Sequence, residues 1–147
     1  MDLRRSRVLR PIVVAVVVIV GLLVAAVPAE ADYIHNSYRC NTGRATFYGA
    51  SHACLTGTAI SYVEQTAGQP TAERYFAVGA DHHIWNVVKY SNGYFSGWKS
   101  LGGWGKSGVW TSSSNGARYA TIYTIGQDSR KWCKRLSAGS WGPWYRC

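Results

Sequence analysis

The second half of this 147-residue chain contains the same segment twice. Each copy has a Gly-x-Asp turn, a tryptophan four residues after the aspartate and another tryptophan near the end of the segment. The shared positions are Gly79 and Gly126, Asp81 and Asp128, Trp85 and Trp132, and Trp98 and Trp144. The first three pairs are 47 residues apart and the last pair is 46 apart. A period of this length is typical of stacked β units, and such units usually present binding surfaces rather than catalytic groups.

Residues 1–31 have the pattern of a bacterial secretory signal peptide. Four arginines precede an unbroken apolar run at 12–27, and Ala29 and Ala31 are the small residues that a signal peptidase recognises. The alternative is an uncleaved membrane anchor, but the run has 16 residues, whereas a bilayer core needs about 20. We therefore expect cleavage before Asp32 and a secreted protein without stable membrane insertion.

The remaining chain, 32–147, is long enough for one compact domain with a modest core. We predict an extended N-terminal arm at 32–58, with at most one short hairpin, and a two-repeat domain at 59–147. The repeats divide this domain into unit 1 (59–103) and unit 2 (104–147). Short alternating runs are separated by turns rich in Gly, Asn and Asp, and no segment after Val27 has the period of a long amphipathic helix. The sequence therefore predicts an all-β protein with two four-stranded antiparallel units.

Four cysteines in a small exported chain predict two disulfides. Cys40 and Cys54 are 14 positions apart, as are Cys133 and Cys147, and we favour these pairings among the three that are possible. By the chain-entropy argument, closing a loop of this length stabilises the fold by about 3 kcal/mol. The alternative, a zinc site, is disfavoured because the cysteines occur singly rather than in close pairs.

The chain is strongly basic. Its formal net charge is +9, and removal of residues 1–31 leaves +7. Outside the cell this charge favours anionic partners such as cell-wall polymers, acidic glycans or acidic proteins, although it can also serve solubility alone. Nucleic acid is not expected as a partner, because the protein is exported. Five basic residues form a cluster near the C-terminus: Arg130, Lys131, Lys134, Arg135 and Arg146.

The sequence Asp81-His82-His83 suggests a catalytic or metal-binding cluster. Adjacent residues on a strand point to opposite faces, so the two histidines do not readily bind one ion. Unit 2 has Ser129 and Arg130 at the positions of these histidines, so the repeat does not require them. The chain also lacks the motifs of a nucleophile elbow, a phosphate-binding loop and a dinucleotide site. We predict no catalytic residue, no metal and no cofactor.

The run V-G-A-D-H-H-I-W, followed by F-S-G-W-K-S-L-G-G, resembles a blade of the tectonin-like and bacterial fucose-lectin-like β-propellers. The resemblance covers residues 60–147. Unit 1 departs from the blade pattern at His82, where a glycine is usual. Unit 2 departs at Ser129, at Pro143 and at Cys147. The resemblance implies blade-type units and sugar binding, but a propeller needs roughly four or more blades to close, and this chain has two.

Two groups of residues have different expected roles. The tryptophans shared by the repeats are expected to fill the space between sheets, where each ring buries on the order of 150–250 Å². Asp81 and Asp128 are expected to accept backbone N–H bonds in their turns. The candidate contacts for a ligand or partner lie largely outside the repeat pattern: Trp104, Trp110, Trp141, Lys106, Arg130 and Lys131.

Two isolated sheets leave outer faces and strand edges uncovered. The sheets can pack together as a small sandwich, the arm can cover an edge or reach a neighbour, or another protein can stack on the free face. The last solution favours a non-catalytic docking or adaptor subunit of an extracellular protein assembly, such as a secreted antibacterial toxin complex. The alternative is a lectin-like module that binds cell-surface or cell-wall carbohydrate. An inhibitor of an extracellular enzyme is a more remote alternative.

Overall fold

The computed structural model describes residues 34–47, 49–64, 71–114 and 118–147. The predicted signal peptide lies outside these residues. The described residues form eleven strands: β1 (Ile34–Arg39), β2 (Arg44–Phe47), β3 (Ala50–Ala53), β4 (Ala59–Glu64), β5 (Thr71–Val78), β6 (Ile84–Tyr90), β7 (Lys99–Gly102), β8 (Trp110–Ser114), β9 (Ala120–Ile125), β10 (Lys131–Ser137) and β11 (Ser140–Arg146). In this part of the chain there is no helix that is long and apolar enough to cross a membrane. The prediction of an all-β protein is confirmed.

The strands form three open antiparallel sheets. Sheet 1 has the order β1-β4-β5-β6-β7, sheet 2 has the order β11-β10-β9-β8, and β2 pairs with β3 in a separate hairpin. Units 1 and 2 each contribute four strands, β4–β7 and β8–β11, and sheet 1 has one strand more. The fifth strand comes from the arm, because β1 pairs with β4 from Ile34↔Val63 to Arg39↔Ala59. It covers an edge of β4 that would otherwise expose unpaired backbone groups.

The arm also contacts sheet 2 through Asn36. Its side-chain Nδ2 donates to the carbonyl of Thr111 at 3.1 Å, and its Oδ1 accepts from the Thr111 N–H at 3.0 Å. One amide side chain thus satisfies both backbone groups of a residue on the edge strand β8. The arm therefore connects the two sheets, because β1 pairs with β4 in sheet 1 and its Asn36 bonds to β8 in sheet 2.

Sheets 1 and 2 are stacked, and the main core lies between them. In each sheet, residues that alternate along the strands face this layer, and six apolar residues make the core: Val63, Phe76, Val78, Ile84, Val109 and Ile122. A polar pair lies in the same layer, where Arg74 donates to Asn86 Oδ1 at 2.6 Å. Burial of this guanidinium lowers the pKa of Arg74 to about 10. A hydroxyl pair, Ser61 and Thr111, joins the sheets at 2.6 Å.

The opposite face of sheet 1 packs against the β2–β3 hairpin. Phe47 of the hairpin stacks on Tyr75 with ring centroids 3.9 Å apart. Both predicted disulfides are present. Cys40–Cys54 is buried beside this hairpin, and Cys133–Cys147 joins β10 to the last residue of the chain. Paired cysteines of this kind are common in small extracellular proteins.

The β2–β3 hairpin is bonded to unit 1 in the same way as the end of unit 1 is bonded to unit 2. Trp98 Nε1 donates to the carbonyl of Ala50 at 3.2 Å, and its repeat partner Trp144 donates to the carbonyl of Leu101 at 3.0 Å. Backbone bonds repeat in the same way, with Leu55 N to Val78 O at 2.9 Å and Lys106 N to Ile125 O at 3.0 Å. The linking segments thus correspond at an offset of 51 residues. Each unit therefore makes the same two hydrogen bonds with the segment that precedes it.

Candidate functional site

The turn of unit 2 is built around Asp128. Its Oδ1 accepts the backbone N–H of Arg130 at 3.1 Å and the indole Nε1–H of Trp132 at 3.1 Å. The indole bond and the backbone bond lower the pKa of Asp128, which keeps the carboxylate ionised. Ser129 closes the turn in the left-handed region, at a φ of 62°. Gly126 is required because a Cβ there would lie 2.7 Å from Cδ1 of Trp132.

The turn of unit 1 has the same geometry. Asp81 Oδ1 accepts the backbone N–H of His83 at 3.0 Å and the indole Nε1–H of Trp85 at 3.1 Å, and His82 has a φ of 65°. Partial burial opposes ionisation of Asp81, but these hydrogen bonds outweigh it, so the pKa of Asp81 is lowered. The turn is therefore a property of the repeat and not of one unit.

A cleft opens beside the turn of unit 2. Its volume is about 620 Å³, within the range of roughly 300–1,000 Å³ that is usual for ligand sites. Its lining residues come from the link between the units, from β9 and its turn, and from β10 and β11: Gly103, Trp104, Thr124, Gly126, Gln127, Asp128, Trp132 and Trp144. Three indole rings and one carboxylate therefore surround the same space.

The rings of the cleft are held by specific contacts. Trp104 stacks on His82 with centroids 4.4 Å apart and planes within 5°, and Nδ1 of His82 lies 3.1 Å from the carbonyl of Gly105. Trp144 packs against Gly103, where a Cβ would lie 2.7 Å from the ring, so this ring position requires glycine. Because the indole N–H groups of Trp132 and Trp144 bond within the protein, these rings offer π surface to a ligand rather than donors.

The equivalent space in unit 1 is filled. At the 51-residue offset, His52 corresponds to Gly103, and Ala53 corresponds to Trp104. The His52 ring lies 4.0 Å from the ring centroid of Trp85 and 5.7 Å from that of Trp98. Burial is the main cause that lowers the pKa of His52. The His52 ring therefore lies beside the unit-1 turn in the place that Gly103 leaves open beside the unit-2 turn.

The outer face of sheet 2 is a second candidate site. Ile122 points into the main core, so its neighbour Tyr123 points to the opposite face. Tyr123 stacks on Trp110 with centroids 5.4 Å apart, and Nζ of Lys131 lies 4.1 Å from the centroid of the Tyr123 ring. Tyr123 and Trp110 are half-buried and Lys131 is exposed. In unit 1 the residue equivalent to Tyr123 is Phe76, which is fully buried under sheet 2.

The structure separates the residues that were expected to contact a ligand or partner. Trp104 lines the cleft, while Trp110 and Lys131 lie on the outer face of sheet 2. Trp141 instead packs edge-on against Phe76 in the main core, at 5.8 Å between ring centroids. Two other candidates lie beside the turn of unit 2: exposed Arg130, and Lys106, whose Nζ donates to Ser129 Oγ at 2.6 Å.

The four tryptophans of the repeat are half-buried. Trp85 and Trp98 pack with the β2–β3 hairpin, whereas Trp132 and Trp144 line the cleft. Sequence reasoning missed His52, Gly103 and Tyr123. The arm and the link between the units share no residue pattern that would have aligned the first two.

Within the described ranges, no group of three or more His, Cys, Asp or Glu side chains is placed to hold a metal ion. Comparisons of the chain with protein-family models, with curated proteins and with solved structures found no significant match.

Proposed function

We propose that the protein is a non-catalytic docking subunit of an extracellular protein assembly, and that the outer face of sheet 2 binds a partner protein. The observation that carries the proposal is the contrast between repeat-equivalent positions. Phe76 and Val78 of unit 1 are fully buried by the next sheet. Their counterparts in unit 2, Tyr123 and Ile125, are only half-buried. In this proposal the sheets are propeller-type units, and the partner takes the place of the unit that would follow.

The charge of the outer face favours a different protein over a second copy of this chain. Lys131 and Arg135 are exposed on this face beside the aromatic pair. The free end of a second copy would be the outer side of the β2–β3 hairpin, which presents Arg44, Thr46 and Ser51. Stacking that hairpin on the outer face would oppose like charges. An acidic surface with an apolar centre fits better.

The test is isolation of the protein from the producer's culture medium under gentle conditions. Light scattering gives the mass of the particle, and mass spectrometry identifies the proteins that elute with it. We expect a heteromeric particle. Tyr123→Ser and Lys131→Glu should each release the partner, whereas Tyr94→Ser, at a tyrosine that is 67% exposed in another loop, should not. A lone monomer, or a homo-oligomer unaffected by these changes, would contradict the proposal.

A second candidate function is saccharide binding in the cleft. It is favoured by one observation, that the cleft is open in unit 2 and filled by His52 in unit 1. Aromatic walls with a few polar groups are typical of small-ligand sites, and the resemblance to sugar-binding propellers agrees with this reading. A glycan array tests it. Trp104→Ala places in unit 2 the residue that unit 1 has at Ala53, and it should remove the signal without disturbing the fold.

A further inference from the structure

We infer that the cleft of unit 2 selects its ligand by charge and takes a pyranose that bears an ammonium group, namely an amino sugar with a free amine. The inference rests on the second candidate function and adds the ligand class. It also separates the cleft from the rest of this basic protein, whose net charge alone points to anionic partners.

The wall of the cleft carries a negative charge. Among the described residues that line the cleft, Asp128 is the one with a charged side chain. Both hydrogen bonds within the turn go to its Oδ1, so Oδ2 is left to accept from a ligand. Lys106 and Arg130 lie beside the turn but do not line the cleft, and Nζ of Lys106 is bound to Ser129. An ammonium group would therefore meet an anion at the wall.

Most of the donors on the cleft wall are already used, and the side-chain donors that remain are the indole N–H of Trp104 and the amide of Gln127. The indole N–H of Trp132 donates to Asp128, that of Trp144 donates to Leu101, and the Thr124 hydroxyl donates to the carbonyl of Gly108 at 2.7 Å. A carboxylate or sulfate on the sugar would need several donors or a cation, and it would face the Asp128 anion. An ammonium group instead needs acceptors, and Oδ2 of Asp128 and the amide oxygen of Gln127 are acceptors on the wall.

Three indole rings form much of the cleft wall. Indole faces attract cations through the ring quadrupole and also pack against the apolar face of a sugar ring. Trp104 is already fixed by its stack on His82, so binding would not have to order it. An amino sugar combines both features that the wall recognises, an apolar ring face and a positive charge.

The experiment compares three β-1,4-linked tetrasaccharides that share a ring and differ in charge: those of glucosamine, glucose and glucuronate. Each is titrated into the disulfide-bonded protein, and the change in tryptophan fluorescence is followed. We expect the glucosamine oligomer to bind about fivefold more tightly than the glucose oligomer, which is the upper range for an exposed ion pair. The glucuronate oligomer should bind most weakly. Added salt should reduce the differences by screening.

Two variants locate the effect. Asp128→Asn keeps an oxygen that can accept from Trp132 and Arg130 but removes the charge, so the preference for glucosamine should disappear. The matched control is Asp81→Asn, which makes the same change in the turn whose cleft is closed by His52. That control should keep the preference. Trp104→Ala should weaken binding of all three oligomers.

The outcomes distinguish the two levels of the proposal. Equal affinity for the glucosamine and glucose oligomers, both lost in Trp104→Ala, would overturn the charge inference and leave the saccharide site. No binding of any oligomer would overturn both. A preference for glucosamine that persists in Asp128→Asn would overturn the assignment to this carboxylate. If Asp128→Asn fails to fold, the unmodified protein still tests the assignment. A preference for glucosamine that does not change with added salt would overturn it.

Discussion

Asp128 accepts a hydrogen bond from the indole Nε1 of Trp132 at 3.1 Å, and Asp81 accepts the same bond from Trp85 at the same distance. The two carboxylates also accept a backbone N–H two residues further along the chain. This pair of hydrogen bonds links a turn to the strand that follows it. It explains why glycine, aspartate and tryptophan recur together at fixed spacing, and it leads to the first two predictions.

Gly126→Ala should destabilise the fold by about 2 kcal/mol, because the new Cβ would lie 2.7 Å from Trp132 Cδ1 and the ring or the turn must move. Gly142→Ala is the matched control. Its Cβ would meet the carbonyl of Arg135 at 3.6 Å, an ordinary contact, so the change should stay within about 0.5 kcal/mol. Urea unfolding of both variants measures this, and equal stability of the two would contradict the packing argument.

Acid should weaken the fold through the two turn carboxylates. Their pKa values are lower in the folded protein than the ordinary 3.8, so the unfolded chain binds protons more readily. The stabilisation is present above pH 3.8 and is lost as the pH falls through the lowered folded values. Unfolding midpoints measured from pH 6 to pH 2 should therefore fall less steeply in the double variant Asp81→Asn, Asp128→Asn. If the unfolding midpoints of the two proteins fall equally steeply with pH, the two turn carboxylates are not the cause of the acid sensitivity.

His52→Ala should open the unit-1 cleft and lower the free energy of unfolding by about 1–2 kcal/mol, since it removes a ring packed at 4.0 Å from Trp85. Burial lowers the pKa of His52 below 6.5 in the folded protein, so stability should decline as the pH falls through 6.5. The alanine variant should lack that part of the decline. His83→Ala, at an exposed histidine, serves as the control and should change stability by less than about 0.5 kcal/mol.

The two disulfides should differ in how much they stabilise the fold. By the chain-entropy argument, removing either disulfide lowers the free energy of unfolding by about 3 kcal/mol. Cys40 and Cys54 are also buried, at 0% and 2% exposure, and replacing both by alanine leaves a void beside the β2–β3 hairpin. Cys147 is exposed. Thermal unfolding should therefore show a larger loss for the Cys40, Cys54 pair, and the reverse order would show that the hairpin contributes little.

Several strands could be predicted because local spacing determines them. The run from Ile84 to Tyr90, between two turns, predicts a strand, and β6 has these bounds. The sequence also indicates a strand within 94–101, and β7 takes up only the end of that range, from Lys99. Asn92 Oδ1 accepts from the Tyr94 N–H, which extends the turn, and Ser96 bonds to the edge of β6. Side-chain bonds of this kind compete with strand pairing and are not visible in the apolar pattern.

The sequence by itself determined the repeat, the two pairs of cysteines and the aspartate turns, because each depends on residues that are close in the chain or repeated at a fixed period. Only the tertiary structure showed that β1 joins sheet 1 and that His52 and Gly103 occupy equivalent places. His52 and Gly103 are 51 positions apart and share no chemistry, and they correspond only because one packs on Trp98 and the other on Trp144. Whether a cleft is open or filled depends on such long-range contacts, and for that reason the candidate site could not be located from the repeat alone.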